Sequence, residues 1–125
     1  MSQVLIVDDE RAIRDLITTG FRGDIRIIHQ ATDGEAALEM LRGSDYDCIL
    51  LDLRIPGIIG MEVFEKIVSS SPSLADRIIF MTGDTASPES AAFLSDKSNR
   101  VISKPFQLAD TRRSIGYVVS ASCHP

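Results

Sequence analysis

Five short apolar runs alternate along the chain with stretches whose apolar residues recur at helical spacing, and this alternation limits the possible folds more than any other feature. The runs are Val4 to Val7, Ile25 to Ile28, Cys48 to Leu51, Ile78 to Met81 and Val101 to Ile102. Short continuous apolar runs are typical of strands that are buried on both faces of a parallel sheet. Five such strands joined by helices predict a doubly wound α/β domain, with five helices distributed over both faces of the sheet.

The second run indicates the order of the strands. It continues into the polar pair His29-Gln30, as expected of a strand at the edge of a sheet. With this strand at the edge, the common 2-1-3-4-5 order of doubly wound sheets is expected. The first and third strands are then neighbours at the point where the strand order reverses.

The five predicted helices are recognised by their caps and by an apolar stripe with the period of an α-helix. They begin after Asp9, at Thr32, at Gly60, at Ser87 and after Pro105, and the first three end at Gly20 or Gly23, at Gly43 and before Pro72. In the first helix the predicted inner stripe includes Ile13, Leu16 and Ile17. In the second, Thr32 and Glu35 have the spacing of a capping box.

Length and composition predict one domain and exclude several classes of function. The chain has 125 residues, of which 44% are hydrophobic, and this suits a single globular domain over residues 1–125. A net charge of −5 without a basic cluster argues against direct binding to nucleic acid or to an anionic membrane. With no membrane-length apolar run and a strand from Val4 onward, we expect a cytoplasmic protein. Cys48 and Cys123 lack metal-ligand spacing and are expected to be reduced thiols.

The four runs other than the second, edge run place polar residues that are candidates for a site at their carboxyl ends. They are Asp8 and Asp9 after the first run, Asp52 after the third, Thr82 after the fourth and Lys104 shortly after the fifth. Ligands of open parallel sheets bind outside the carboxyl ends of the strands, where the strand order reverses. Because the first and third strands are neighbours there, Asp8, Asp9 and Asp52 are expected to crowd one crevice.

Three carboxylates in one crevice need a cation. At a separation of about 5 Å and an effective dielectric constant of ~20, each pair repels by on the order of 3 kcal/mol. Magnesium is the best match, because it binds carboxylate oxygens, keeps several waters and works together with phosphates. No Cys or suitably spaced His offers a zinc or iron site.

Thr82 and Lys104 add a hydroxyl and an ammonium group, both of which bind anions. Acids, metal, hydroxyl and lysine together predict a site for phosphoryl transfer, where catalysis consists mainly of positioning and charge neutralisation. Asp52 projects between the other acids and can act as the nucleophile, forming an aspartyl phosphate.

Four motifs resemble those of the receiver domain of two-component response regulators, which has the CheY-like fold. The motifs are Val7 to Glu10, Leu51 to Gly57 with Gly60, Met81 to Gly83 and Lys104 to Phe106, and the resemblance covers the full length of the chain. It implies that Asp52 accepts a phosphoryl group from a phosphohistidine on a sensor histidine kinase or a histidine phosphotransfer protein. Thr82 and Lys104 would bind the phosphoryl oxygens.

The resemblance also implies a set of metal ligands. Asp9 and Asp52 would bind Mg²⁺ directly, or Mn²⁺ in its place, and Asp8 would act through a water molecule. The backbone carbonyl of Arg54 would complete the protein ligands. Such a domain phosphorylates and dephosphorylates only itself and is not an enzyme with a free substrate, and it can form a homodimer through the face of its fourth helix, fifth strand and fifth helix.

Some positions leave alternatives open. Receivers usually carry an aromatic residue three positions before the lysine, where this chain has Val101. Either switching works through backbone shifts of the Thr82 loop, or Val101 simply packs and the output uses another face. Arg54 and Asp84 either pair across the mouth of the crevice, which would slow hydrolysis of the phosphate, or remain solvated. The stretch from residue 82 to 106 looks most like receivers attached to hybrid sensor histidine kinases.

Other classes of function fit the residues less well. A phosphohydrolase of the haloacid-dehalogenase type would carry Asp-x-Asp after the first strand, whereas Asp8 and Asp9 are adjacent. A flavodoxin-like cofactor carrier would need a phosphate-binding loop in a place where these acids repel phosphate. A pseudo-receiver that serves only as an interaction module would lack an acid, the threonine or the lysine, and all are present. His29 and His124 are interpreted as ordinary edge or surface histidines.

Overall fold

The fold is described by a computed structural model over residues 3–20, 27–53, 60–82 and 101–103, with the backbone alone at positions 61, 82 and 103. Within these residues a five-stranded sheet has the order β2-β1-β3-β4-β5, and all neighbouring strands are parallel. The strands are β1 (Gln3–Val7), β2 (Ile27–Ala31), β3 (Cys48–Asp52), β4 (Ile78–Thr82) and β5 (Val101–Ser103). The predicted fold class and strand order are confirmed.

Helices connect the strands within the described residues. They are α1 (Arg11–Gly20), α2 (Gly34–Gly43), α3 (Gly60–Ser70) and the short 3-10 helix Pro72–Arg77. The helices predicted to begin at Ser87 and after Pro105 lie outside the described residues. In the part of the chain that the structure describes, no helix combines the length and apolar character needed to cross a membrane.

The sheet separates two apolar clusters, because side chains alternate between the faces of each strand. In β1, Val4 and Ile6 belong to the cluster that includes Ile17 of α1. Leu5, between them, belongs to the cluster that includes Val63 of α3. Burial on both faces fixes the register of the central strands, since a slip of one residue would exchange the two sets. The carboxyl ends of β1 and β3 are therefore held in a defined relation to each other.

The predicted end of the second strand was wrong. β2, described over Ile27–Ala31, continues past Ile28, and the first two residues of the predicted run, 25 and 26, lie outside the described residues. Its polar residues stay in the strand because other elements supply their partners. The Nδ1 atom of His29 lies 2.7 Å from the hydroxyl of Tyr46, and the side-chain amide of Gln30 donates to the hydroxyl of Thr18 at 2.9 Å.

The capping box at Thr32 was also wrong. The N-cap of α2 is Asp33, whose Oδ1 accepts a hydrogen bond from the backbone N–H of Ala36 at 2.8 Å. Pairing of β2 with β1 continues to Ala31, so the helix begins one residue later than the capping box requires. In α1, Ile17 is buried as predicted, but Leu16 is 43% exposed and does not belong to the inner face.

The buried thiol of Cys48 predicts a loss of stability at alkaline pH. Burial in the core raises the pKa of Cys48 far above that of an exposed thiol, and the charge of Asp47 raises it further. The thiol has a higher pKa in the folded than in the unfolded protein, so above the unfolded pKa of about 8.5 only the unfolded protein loses the proton. The contribution of Cys48 to the free energy of unfolding is therefore complete below that pH and decreases as the pH rises above it. Between pH 8 and pH 10 the free energy of unfolding is expected to fall by about 2 kcal/mol more than in Cys48→Ala. Urea unfolding at both pH values measures this difference. An equal change in the free energy of unfolding with pH in the wild type and in Cys48→Ala would contradict the prediction.

Candidate functional site

The candidate site lies at the carboxyl edge of the sheet, where β1 and β3 end side by side. Val7 of β1 is in register with Leu51 of β3, so the next residues, Asp8 and Asp52, lie at the same level on adjacent strands. Both side chains are buried, with exposed fractions of 0% for Asp8 and 3% for Asp52. The strand order thus places two carboxylates beside each other and largely out of water.

Four carboxylates gather at this edge. They belong to Asp8, Asp9, Glu10 and Asp52, and one oxygen of each lies within 4.8 Å of those of the others. Asp9 and Glu10 are exposed, so the cluster has a buried side and a side open to solvent. The structure brings together the three acids expected to share a crevice. It adds Glu10, which was not predicted as a site residue although it directly follows the two aspartates.

Backbone hydrogen bonds hold the turn from β1 into α1. The N–H of Asp8 donates to the carbonyl of Ala31 at 3.1 Å, extending the pairing with β2. The N–H of Glu10 donates to Oδ1 of Asp8 at 2.9 Å, and the carbonyl of Glu10 accepts from the N–H groups of Ile13 and Arg14 at 3.2 Å each. One oxygen of the Asp8 carboxylate is therefore already engaged by the protein.

The pairing of β3 with β4 fixes Asp52. Asp52 is in register with Met81, and the N–H of the following residue, Leu53, donates to the carbonyl of Met81 at 3.1 Å. Leu53 is itself buried. The backbone is thus held at and beyond Asp52, and its carboxylate stays at the sheet edge.

Two members of the cluster, Asp8 and Asp52, are buried groups of the same charge, and all four members are ligands of one chemical type. The oxygens of Asp8 and Asp52 lie no more than 4.8 Å apart, and two charges at that separation repel each other by on the order of 3 kcal/mol at an effective dielectric constant of ~20. Every member of the cluster is a carboxylate, and carboxylate oxygens suit hard cations such as Mg²⁺. A zinc site would use His or Cys ligands, and the cluster contains neither. The donor set fits Mg²⁺, with Mn²⁺ as the alternative.

Thr82 lies at the same edge of the sheet. It is the last residue of β4, and its backbone is in register with Ser103, the last residue of β5. Since Met81 is in register with Asp52, Thr82 stands one residue beyond the level of the predicted phosphoacceptor. Its backbone is therefore at the edge where the carboxylates gather.

Three predicted residues, Arg54, Asp84 and Lys104, lie outside the described residues, and their roles stay predictions. Val101 is described: it is in register with Phe80 and packs, partly buried, against the core. This packing is the one expected of the simpler alternative for Val101. The hypothesis that switching proceeds through the Thr82 loop stays a prediction.

His29 is a structural residue of β2. Its ring contacts that of Tyr46 edge to face, with centroids 5.7 Å apart, and its Nδ1 shares a hydrogen bond with the Tyr46 hydroxyl. Burial raises the pKa of Tyr46, so the hydroxyl stays protonated well above neutral pH. His29 does not belong to the carboxylate cluster, and His124 lies outside the described residues.

A groove of about 660 Å³ lies between α2, α3 and the 3-10 helix, away from the cluster. Its lining includes apolar side chains and charges of both signs, among them Leu38, Leu41, Ile67, Leu74, Arg42, Glu62, Glu65 and Lys66. None of the four clustered carboxylates lines this groove. Its mixed charges do not indicate a particular ligand.

Comparison with known proteins identifies the family. Residues 4–115 match the response regulator receiver domain. The transcriptional regulatory protein CutR of Streptomyces coelicolor is 30% identical over 108 residues, which cover 86% of this chain and 49% of CutR. The response regulator MprA of Mycobacterium ulcerans is also 30% identical over 108 residues, covering 86% of this chain and 46% of MprA. The chain thus spans about half the length of these curated relatives.

Solved structures show the same fold. A CheY-like receiver domain protein from Methanospirillum hungatei superposes with a TM-score of 0.86 at 24% identity, over 98% of this chain and 96% of that one. The chemotaxis response regulator CheY4 of Vibrio cholerae gives a TM-score of 0.82 at 24% identity, over 94% and 98% of the two chains. The chain belongs to the response regulator receiver domains of two-component signal transduction.

Proposed function

We propose that this domain is a phosphorylation-controlled switch in which Asp52 accepts the phosphoryl group. The observation that carries the proposal is the position of Asp52, a buried carboxylate at the end of β3 with Asp8, Asp9 and Glu10 around it. Membership of the receiver family supports a histidine kinase, or a histidine phosphotransfer protein, as the donor. Its work would then take place in the cytoplasm, where such donors act.

The environment of the clustered acids supports a division of roles among them. Asp9 is exposed and would bind Mg²⁺ directly together with Asp52. Asp8 has one oxygen engaged by the N–H of Glu10, which supports a contribution through water. The carbonyl of Arg54 would be a further ligand. When bound, Mg²⁺ neutralises the clustered charge and that of the phosphoryl oxygens.

The transfer itself needs one nucleophile and one leaving group. A carboxylate oxygen of Asp52 forms the new bond to phosphorus while the bond from phosphorus to the donor histidine nitrogen breaks. Thr82 and Lys104 bind the phosphoryl oxygens, and these contacts exist only in the phosphorylated state. Phosphorylation therefore shifts an equilibrium between two conformations of the domain. Hydrolysis of the acyl phosphate later restores the free carboxylate.

The proposal concerns the receiver and not a complete signalling protein. The matched relatives are about twice as long as the aligned region, and a place in a hybrid kinase stays a prediction. The net charge of −5 supports a role without direct contact to nucleic acid or membrane. A homodimer through the fourth helix, fifth strand and fifth helix stays a prediction.

A small phosphodonor tests the proposal without a cognate kinase. The purified domain is incubated with acetyl phosphate and Mg²⁺ and its intact mass is measured. We expect a gain of one phosphoryl group that requires Mg²⁺, is absent with a chelator, and is removed by hydroxylamine, because acyl phosphates react with that nucleophile. A folded domain that binds Mg²⁺ but gains no mass would favour an interaction module over a phosphoacceptor.

A further inference from the structure

We propose that Arg14 is a positioning residue for the carboxylate cluster, setting the turn that carries Asp9 and so the affinity for Mg²⁺. The inference rests on the proposed function only in assuming that the cluster binds Mg²⁺. It assigns a role to an α1 side chain that is not itself a metal ligand. The contacts of its guanidinium group are the basis of the assignment.

Arg14 links three parts of the fold. Its Nη1 donates to the backbone carbonyl of Asp8 at 2.8 Å, and its Nε donates to Oε1 of Gln30 at 3.1 Å. The amide nitrogen of Gln30 donates in turn to the hydroxyl of Thr18 at 2.9 Å. The guanidinium is thus oriented between α1 and β2 while it binds the end of β1.

The contact to the Asp8 carbonyl determines the direction of Asp9. That carbonyl belongs to the planar peptide group whose N–H is that of Asp9. The N–H of Asp8 is already bound to the carbonyl of Ala31, so Arg14 fixes the second peptide group of the turn. Asp9 is exposed, and without the Arg14 contact its backbone would lose conformational freedom when a cation binds. The contact restricts this freedom beforehand and so lowers the entropic cost of binding.

The hydrogen bonds of Arg14 and its positive charge predict opposite changes in the affinity for Mg²⁺ when Arg14 is replaced. If Arg14 acted only through its positive charge, it would repel Mg²⁺, and removing it would strengthen binding. If it positions the turn, both Arg14→Gln and Arg14→Lys weaken binding. The lysine keeps the charge but lacks the planar fork that reaches two acceptors at once. The direction of the change therefore separates the two effects.

Arg11 provides a matched control. It lies one turn earlier on α1, and its side chain is 85% exposed and paired with Asp15 at 3.4 Å. Arg11→Gln removes the same charge from the same helix without changing a hydrogen bond that the structure describes to the Asp8 turn. Gln30→Ala is a second test, because Gln30 is exposed and its loss releases Arg14 without removing the guanidinium.

The experiment measures the binding of Mg²⁺ alone, by calorimetry or by chemical-shift titration, in the absence of a phosphodonor. Arg14→Gln and Arg14→Lys are expected to weaken Mg²⁺ binding about 3- to 10-fold, as the loss of one hydrogen bond of typical net strength predicts. Arg11→Gln is expected to change it less than about 2-fold. Gln30→Ala should weaken it in the same direction as the Arg14 variants, and it decides the question if those variants do not fold.

Unchanged or stronger Mg²⁺ binding in folded Arg14 variants would overturn the inference. So would an equal loss in Arg11→Gln, because an equal weakening with Arg14 in place would show that the hydrogen bonds of Arg14 are not its cause. These outcomes differ from failure of the proposed function. A wild-type domain that binds Mg²⁺ but accepts no phosphoryl group leaves the role of Arg14 in cation binding intact.

Discussion

Asp52→Asn is expected to abolish phosphoryl acceptance while the domain stays folded. The amide has nearly the shape of the carboxylate and can still accept a hydrogen bond, but it is not a nucleophile towards phosphorus. With acetyl phosphate and Mg²⁺, the rate of mass gain should fall at least ~100-fold, to the limit of detection. The measurement follows intact mass over time at equal protein concentration.

The same substitution should stabilise the domain in metal-free buffer. Asp52 is 3% exposed and its neighbour Asp8 is fully buried, so removing one charge relieves repulsion within a poorly hydrated pair. We expect the free energy of unfolding to rise by roughly 1–3 kcal/mol at low ionic strength. A change in the opposite direction would show that the contacts of the Asp52 carboxylate outweigh this repulsion.

Asp47→Asn is the matched control for both measurements. Asp47 directly precedes β3, at the opposite end of the strand from Asp52, and its Oδ2 accepts a hydrogen bond from the backbone N–H of Gln3 at 2.8 Å. Its loss of charge should weaken that bond and leave phosphoryl acceptance unchanged. Phosphorylation of Asp52→Asn at the wild-type rate would show that another residue is the acceptor.

The sheet could be predicted because its information is local. The run from Cys48 to Leu51 is buried along its whole length, and each central strand carries the same composition signal. Once the strand order is fixed, the proximity of Asp8 and Asp52 follows from topology. These features require no knowledge of individual long-range contacts.

The features that could not be predicted depend on partners that are distant in sequence. β2 extends through His29 and Gln30 because Tyr46 and Arg14 supply hydrogen bonds. The third predicted helix was expected to end before Pro72, and the 3-10 helix Pro72–Arg77 that begins there was not predicted. Arg77, at the end of this helix, donates to the carbonyl of Tyr46 at 3.1 Å, a contact across 31 residues that no local pattern records.

The candidate site likewise contains residues that the sequence predicted and residues that it did not. The two aspartates that follow β1 were visible as candidate ligands, since each stands next to a buried strand. Glu10 was missed because site residues were sought directly after the strands, at their carboxyl ends. We call this search the strand rule, and it does not extend to the turn beyond. The role of Arg14 was also invisible, because its contact is to a backbone carbonyl and not to a charged partner.

Asp9→Asn is expected to weaken Mg²⁺ binding about 30-fold. One negative charge at about 4 Å from a divalent cation contributes about 2 kcal/mol in water, which corresponds to this change in the dissociation constant. The value for water applies because Asp9 is exposed. Calorimetric titration with Mg²⁺ measures the constant, and the rise in melting temperature caused by Mg²⁺ should shrink in parallel.

Glu10→Gln distinguishes a direct ligand from a neighbouring charge. Glu10 has an oxygen in the same cluster as Asp9 and is equally open to solvent, so proximity alone does not rank the two residues. If Asp9 binds the cation directly, Glu10→Gln should change the dissociation constant only about 3-fold, through long-range charge. Asp15→Asn, which removes an exposed acid on α1 that is paired with Arg11, should change it even less. An equal loss in the Asp9 and Glu10 variants would instead assign direct ligation to both, making Glu10, which the strand rule missed, a full member of the metal site.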